Sequence, residues 1–321
     1  MWVVPMLWAG AFLTGASALE RLSSDTVSFA RFAITVIGGA CVLHRPILTL
    51  LRAKPSRAAW GAMTLLALTG GVVYHILFYL GLARSEAPVA SVVIATNPIL
   101  TALGCAIFLR DRKPTRALFV GLGLAFLGAV LLAADRGRVD PSNPSDLAGG
   151  LSLVSRILRG WGIGETLCLL ASISWAIFAV LLQRFRSGVL APFPSAGVTF
   201  AVYAITALIL LPVTIASGGI MELVDASPRE WGCLVYIGLI ATVVAYTMYN
   251  AAIDRVGSAR VSQVTYAVPT FTTLLSAALF GFRPGASGIA GLVIVTLGLI
   301  VSDGRVVQAL RARASGWRTP R

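Results

Sequence analysis

Apolar residues run through this sequence in ten blocks, at roughly 2–19, 27–43, 59–82, 88–109, 117–134, 163–182, 195–216, 231–252, 258–280 and 285–302. Short connectors rich in charge, proline or glycine separate them. The blocks show neither the one-sided stripe of a soluble helix nor the alternation of a half-buried strand. Each approaches the ~20 residues with which an α-helix crosses hydrocarbon. A transmembrane barrel would instead show short segments alternating between lipid and lumen. The pattern predicts an all-α integral membrane protein of ten transmembrane helices. Composition agrees: 57% of the residues are hydrophobic and 12% charged, against ~25% charged in a soluble domain.

The net charge of +13 raises nucleic acid as a partner, and its distribution argues against that. When alternate connectors are assigned to opposite sides, one side carries 16 Lys and Arg and the other 8, four of which sit in the long 135–162 connector. The positive-inside rule then places both termini in the cytoplasm of a multi-pass protein of the cell inner (plasma) membrane. The basic tail, 303–321, faces solvent or anionic lipid heads. Trp2, Trp60, Trp161 and Trp231 fall near span ends, where an indole prefers the headgroup region. Cys41, Cys105, Cys168 and Cys233 lie within spans without metal-ligand spacing, and read as small packing residues. Ala16-Ser17-Ala18 resembles a signal-peptidase site, but no basic residue precedes the apolar stretch before it, so that stretch is read as span one.

The chain also repeats itself. GLARSEAPVASVVIATNPILTAL (81–103) aligns with AIDRVGSARVSQVTYAVPTFTTL (252–274) at a shift of 171, pairing Arg84 with Arg255, Ser91 with Ser262, Pro98 with Pro269 and Thr101 with Thr272. The same shift lays AIT (33–35) on AIT (204–206), and Trp8 faces Trp175 near the start of each half. The order predicts two five-span units, 1–134 and 163–302, joined by an extracytoplasmic connector, 135–162. Because five is odd, the second unit enters the membrane inverted. Two inverted units can pack in two nearly equivalent ways, one open to each side, which is the requirement for alternating access.

On LWAGAF (7–12), SWAIFAVLLQRF (174–185), ARF (30–32), the segment from Tyr79 through Pro98 to Gly128 and its copy from Asn250 to Gly298, the chain resembles the EamA-type transporters of the drug/metabolite transporter superfamily. The resemblance covers nearly the whole chain. It implies ten spans in two homologous units and transport, chiefly export, of amino acids or similar small metabolites, with no cofactor.

Polar residues inside spans are expensive and mark function or packing. His75 is the titratable residue nearest mid-membrane. It either ties neighbouring helices or faces a cavity, and its alignment with Tyr246 favours the cavity. Proton coupling through His75 is a fallback. Span eight carries Thr242, Tyr246, Tyr249 and Asn250 on one helix face, and span nine carries Ser262, Gln263, Tyr266 and Thr270. The expected substrate cavity comprises Trp8, Tyr74, His75, Phe78, Asn97, Trp175, Tyr246, Tyr249, Asn250, Gln263 and Tyr266. Arg31 lies near a span end, where it is expected to snorkel or to pair with Glu20 or Asp25, with binding of a substrate carboxylate the alternative.

Pro98 and Pro269 should weaken spans four and nine at matching depth and are candidate hinges. No Walker loop, metal cluster or intramembrane acid pair occurs, so neither an enzyme nor a nucleotide motor is expected. With no mid-membrane carboxylate, a uniporter or exchanger is predicted. A multidrug exporter of lipophilic cations and a non-transporting, lipid-interacting subunit are the alternatives. The partners expected are a small-molecule substrate and membrane lipids, and the Gly-rich spans five and ten are compatible with a homodimer.

Overall fold

Hydrocarbon gives a backbone no partner but itself, so a spanning segment must close its hydrogen bonds internally. Every regular element among the described residues is helical, with no strand. The structure, a computed structural model, describes residues 3–109, 116–117, 119–121, 123–124, 127–128, 131, 161–246, 248, 267–281 and 283–302, without the side chains of Pro98, Ala102 and Leu299. In chain order the helices are α1 (Val3–Ala18), α2 (Ser24–Val42), α3 (His44–Arg52), α4 (Arg57–Leu66), α5 (Tyr74–Leu82), α6 (Ala87–Ile94), α7 (Asn97–Phe108), α8 (Ile163–Arg186), α9 (Ser195–Ala216), α10 (Gly219–Val224), α11 (Pro228–Val235), α12 (Val268–Phe280) and α13 (Ala286–Ser302). Two π-helical segments interrupt them: π1 (Ala67–Val73) joins α4 to α5, and π2 (Tyr236–Val244) continues α11.

Five stretches are long and apolar enough to cross a membrane: Ser24–Val42, Arg57–Leu82, Ala87–Phe108, Ile163–Arg186 and Ser195–Ala216. The helices at Val3–Ala18, Val268–Phe280 and Ala286–Gly298 are apolar but shorter. Large apolar side chains such as Ile37, Leu208 and Leu279 lie exposed on these helices. On a spanning helix that surface meets lipid, so its exposure is no defect.

The chain forms two units, Met1–Ala95 with Ile163–Phe282, and Thr96–Gly162 with Arg283–Arg321. In the first, α2 packs on α9, α5 on α8, α1 on α12, and π1 and π2 each lie against two or more neighbouring helices. Small residues allow the closest approaches. A Cβ placed on Gly81 would meet Cys168 Sγ at 2.7 Å and Gly164 O at 2.9 Å, so α5 and α8 cross with their backbones nearly touching.

The two ends of this unit are held by different chemistry. Where α2 begins and α9 ends, Glu222 Oε2 accepts from Ser23 N at 2.7 Å and from Ser23 Oγ at 2.9 Å. Asp25 accepts from Ser217 Oγ, Arg229 lies 3.6 Å from Glu20 and Arg21 lies 4.0 Å from Glu230. At the opposite end the contact is apolar: Leu50, Met63 and Leu66 of α3 and α4 pack with Leu190, Phe193 and Val198. Arg186 Nη1 closes that loop by donating to Leu190 O at 2.9 Å and Phe193 O at 2.7 Å.

Glu230 also caps α11. Its Oε2 accepts from Ser227 N at 2.6 Å in a reciprocal capping box, with Pro228 at the first helical position. The Ser227 hydrogen bonds, and after them Arg21 and Arg229, hold its carboxyl below the ordinary 4.5. A carboxyl depressed in the folded state stabilises the fold above its unfolded value, and that stabilisation is lost as pH falls through the folded value. The melting-temperature gap between the unaltered protein and Glu230→Gln should therefore be widest at neutral pH and shrink as pH falls below 4.5. A gap independent of pH would show that the cap does not depend on ionisation.

The second unit contains α7, helical residues among 116–131, and α13. Gly128 lies against α13, where an added Cβ would meet Gly291 O at 2.5 Å and Val295 N at 2.6 Å. Predicted spans five and ten thus approach closely at this point, whereas a Cβ added at Gly123 would meet nothing within 4 Å. The connector through residue 160 and the tail 303–321 lie outside the described residues.

Candidate functional site

Within the first unit, α2, π1, α5, α8, α9 and π2 enclose a cavity of about 50 Å³. By the same measure a water needs roughly 10–15 Å³, so the space holds only a few waters and is polar at only some points. Trp175, Phe178 and Leu182 of α8 form one wall, and Val198, Thr199, Val202 and Tyr203 of α9 another. Arg31 and Phe32 of α2, Gly70, Gly71 and His75, and Thr242 and Tyr246 complete it.

The π segments shape this site. Widening the helical turn takes carbonyls off the regular ladder, and each needs a donor. Side chains supply them here. Ser174 Oγ donates to Thr69 O at 2.8 Å, and Trp8 Nε1 to Ala241 O at 3.1 Å. Thr35 Oγ1 donates to Gly238 O at 3.0 Å. His75 Nδ1 stands 2.9 Å from Gly71 O. A carbonyl only accepts, so Nδ1 carries the hydrogen and the neutral ring keeps Nε2 as an acceptor. Phe32 and Tyr74 meet the imidazole edge-on, both at 4.7 Å between ring centres, and fix its plane.

Expected site residues fall into five groups. His75, Trp175 and Tyr246 line the cavity. Trp8 and Tyr74 stand one layer behind: Trp8 packs on Tyr246 at 5.4 Å and Tyr74 on Trp175 at 5.0 Å. Phe78 is not among the lining residues; its ring packs against Phe12 at 5.3 Å and Tyr79 at 4.9 Å. Asn97 belongs to the second unit, where its Oδ1 is buried without a hydrogen-bond partner. Tyr249, Asn250, Gln263 and Tyr266 lie outside the described residues.

Both prolines stand at helix starts, and the helix of predicted span four is interrupted just before Pro98. Helix α6 ends at Ile94 and α7 begins at Asn97 with Pro98 in its first turn. Pro269 likewise stands in the first turn of α12. A helix's first turn tolerates a residue without an N–H.

Arg31 corrects the sequence expectation most. Its head neither snorkels nor pairs with Glu20 or Asp25: Nη1 donates to the Tyr79 hydroxyl at 3.2 Å, and the side chain lines the cavity. Glu20 and Asp25 are engaged by Arg229 and Ser217 instead. Phe32 and Tyr203 were missed as well, although the shift of 171 that pairs His75 with Tyr246 also pairs them. Their rings touch, 5.5 Å between centres.

A cavity walled by aromatic side chains and floored by loosened helix, in a bundle of apolar helices, suits a passage for small solutes. The sequence profile of the EamA-like transporter family matches residues 1–134 and 162–302. The chain belongs to the EamA-like transporter family. It is a membrane-embedded, multi-pass transporter. Among its relatives, an uncharacterized transporter of Archaeoglobus fulgidus is 24% identical over 94% of either chain. An uncharacterized transporter of Bacillus subtilis is 27% identical over 91% of this chain and 86% of its own. A protein of Streptantibioticus cattleyicolor named "probable terminal-alkyne amino-acid exporter" is 25% identical over 90% of this chain and 89% of its own. A solved crystal structure shares the fold at 18% identity, with a TM-score of 0.60 over 96% of each chain.

Proposed function

We propose that this EamA-like transporter works by alternating access in the cell inner membrane and exports amino acids or similarly small metabolites. In this reading ten spans form two inverted units, 1–134 and 163–302, with both termini in the cytoplasm and 135–162 outside. The observation that carries it is the pairing around the cavity. Segment π1, shifted by 171, falls on 238–244, inside π2. Phe32 and Tyr203, mates under the same shift, touch, as residues beside a two-fold axis must. Contacts follow the same rule: π1 on α8 answers to π2 on α1, and π1 on α9 to π2 on α2. An arrangement of this kind supports two exchangeable packings around one site.

The chemistry of the walls narrows the cargo. Trp175, Phe178, Leu182 and Val202 offer an apolar surface, while His75, Thr242 and Tyr246 offer hydrogen bonds. The cavity is smaller than a typical ligand site of ~300–1,000 Å³, so an amino acid would enter only as the walls part. Export of a lipophilic cation is disfavoured because, among the described residues, Arg31 is the charged side chain that lines the cavity and no carboxylate does. At ~5 Å and an effective dielectric constant of about 20, like charges repel by ~3 kcal/mol. The same lack of a carboxylate supports uniport or exchange.

The test is a metabolite profile of medium from cells expressing the protein, beside a His75→Ala/Trp175→Ala variant at equal membrane level. A small set of amino acids should accumulate with the unaltered protein and fall at least about tenfold with the variant, the loss expected when a site's positioning contacts are removed. Identical profiles from both, and from cells lacking the protein, would count against export and favour import or a binding role.

A further inference from the structure

An arginine cannot shed its charge in a protein, so one turned inward needs a counter-charge or a ring of acceptors. Arg31 has one neutral acceptor, the Tyr79 hydroxyl at 3.2 Å. Its Nε is buried with no hydrogen-bond partner. Among the described residues the ion pairs join Arg21 with Glu230 and Arg229 with Glu20, and none involves Arg31. The side chain lines the cavity beside His75, Tyr203 and Tyr246, none of which carries a fixed negative charge. A guanidinium left this way is a site waiting for an anion, because intramembrane charges persist where function needs them.

We propose that Arg31 is the anion seat of the cavity, holding the carboxylate of a monocarboxylate whose apolar part lies against Trp175, Phe178 and Leu182. The word substrate for that ligand rests on the transport reading above; the seat itself does not. Charge balance selects the class. One guanidinium among the lining residues matches one negative charge, whereas a phosphate dianion would keep a charge uncompensated. Tyr79 fixes Nη1, which leaves Nε and Nη2 as the parallel pair of donors a carboxylate accepts side-on. An amino group on the same ligand would find acceptors in His75 Nε2 and the Thr242 hydroxyl.

The test uses the full chain, purified in detergent, with thermal unfolding as the readout. The probes are 4-methylpentanoate, its uncharged amide and L-leucine, followed by carboxylates with other apolar parts. The acids should stabilise the protein at concentrations about tenfold or more below those needed for the amide, the scale of charge-assisted over neutral hydrogen bonding. Arg31→Gln should erase the preference, and Arg31→Lys should keep it with weaker binding. No response to any acid, equal response to acid and amide, or an undiminished preference in Arg31→Gln would overturn the seat. If Arg31→Gln does not fold, the acid–amide comparison on the unaltered chain and on Arg31→Lys decides. Flux of radiolabelled amino acids into proteoliposomes separates the two readings. Saturable flux untouched by Arg31→Gln keeps transport and removes the seat. An Arg31-dependent acid preference without flux keeps the seat and removes amino-acid transport.

Discussion

Gly164→Val should lower the amount of folded protein in the membrane several-fold. A Cβ at Gly164 would stand 2.5 Å from Arg84 O, 2.7 Å from Arg84 C and 3.0 Å from Gly81 O. All three are main-chain atoms of the segment that ends α5, so no side chain can rotate away, and α5 must move off α8. Overpacking of this kind costs about 1–3 kcal/mol, occasionally more. The upper part of that range applies when only backbone can yield. Against a marginal stability of ~5–15 kcal/mol, a loss of this size should lower resistance to heat and cut the abundance of the protein several-fold. Fluorescence-detected size exclusion of the tagged protein measures this, with Gly61→Val as the control, since an added Cβ at Gly61 meets nothing within 4 Å. Equal profiles for the two variants would mean that the α5–α8 crossing is looser than described.

Oxidising a Thr26→Cys/Gly219→Cys variant should stop flux, and a reductant should restore it. The expectation follows from the polar end of the first unit, where Ser23, Asp25 and Glu20 meet Glu222, Ser217 and Arg229 across two loops. These are exposed or half-buried contacts, each worth little alone, and easily exchanged for water. A transporter that opens at this end must break them in every cycle. Thr26 and Gly219 mark the closest point: a Cβ on Gly219 would collide with Thr26 Oγ1. That closeness suits the short Cβ–Cβ span of a disulfide, ~3.8 Å. The four native cysteines, Cys41, Cys105, Cys168 and Cys233, need replacing first. Full flux in the oxidised variant, with the cross-link verified by mobility shift, would show that this end stays shut throughout transport and refute the alternating-access reading.

Most of the spans were legible in the sequence because lipid imposes a simple rule. About twenty apolar residues close a helix across the hydrocarbon, and charge collects where the chain emerges. The internal repeat was legible for a related reason, since shared order at one shift needs no structure to detect. It also brought His75, Trp175 and Tyr246 together as cavity candidates, and the structure lines the cavity with all three. Composition could not rank aromatic neighbours by depth. Phe78 shares a helix with His75, three residues on, yet packs against Phe12 and Tyr79 and is not among the residues that line the cavity.

Residue type and spacing alone determined that this chain is helical, crosses the membrane repeatedly and repeats itself, because those properties follow from the solvent and from linear order; the resemblance to a transporter family added the expectation of transport. Tertiary packing decided which polar groups share a space. Arg31, eight residues into α2 and near charged Glu20 and Asp25 in sequence, read as a span-end residue. Its direction depends on where Tyr79 of α5 stands and on Arg229 and Ser217 already engaging those acids. Likewise, no periodicity marked π1 and π2, since a widened turn costs little in local propensity and is held open by donors from other helices, such as Ser174, Trp8 and Thr35. A side chain's direction is set by partners distant in sequence, and only the folded chain brings them within hydrogen-bond reach.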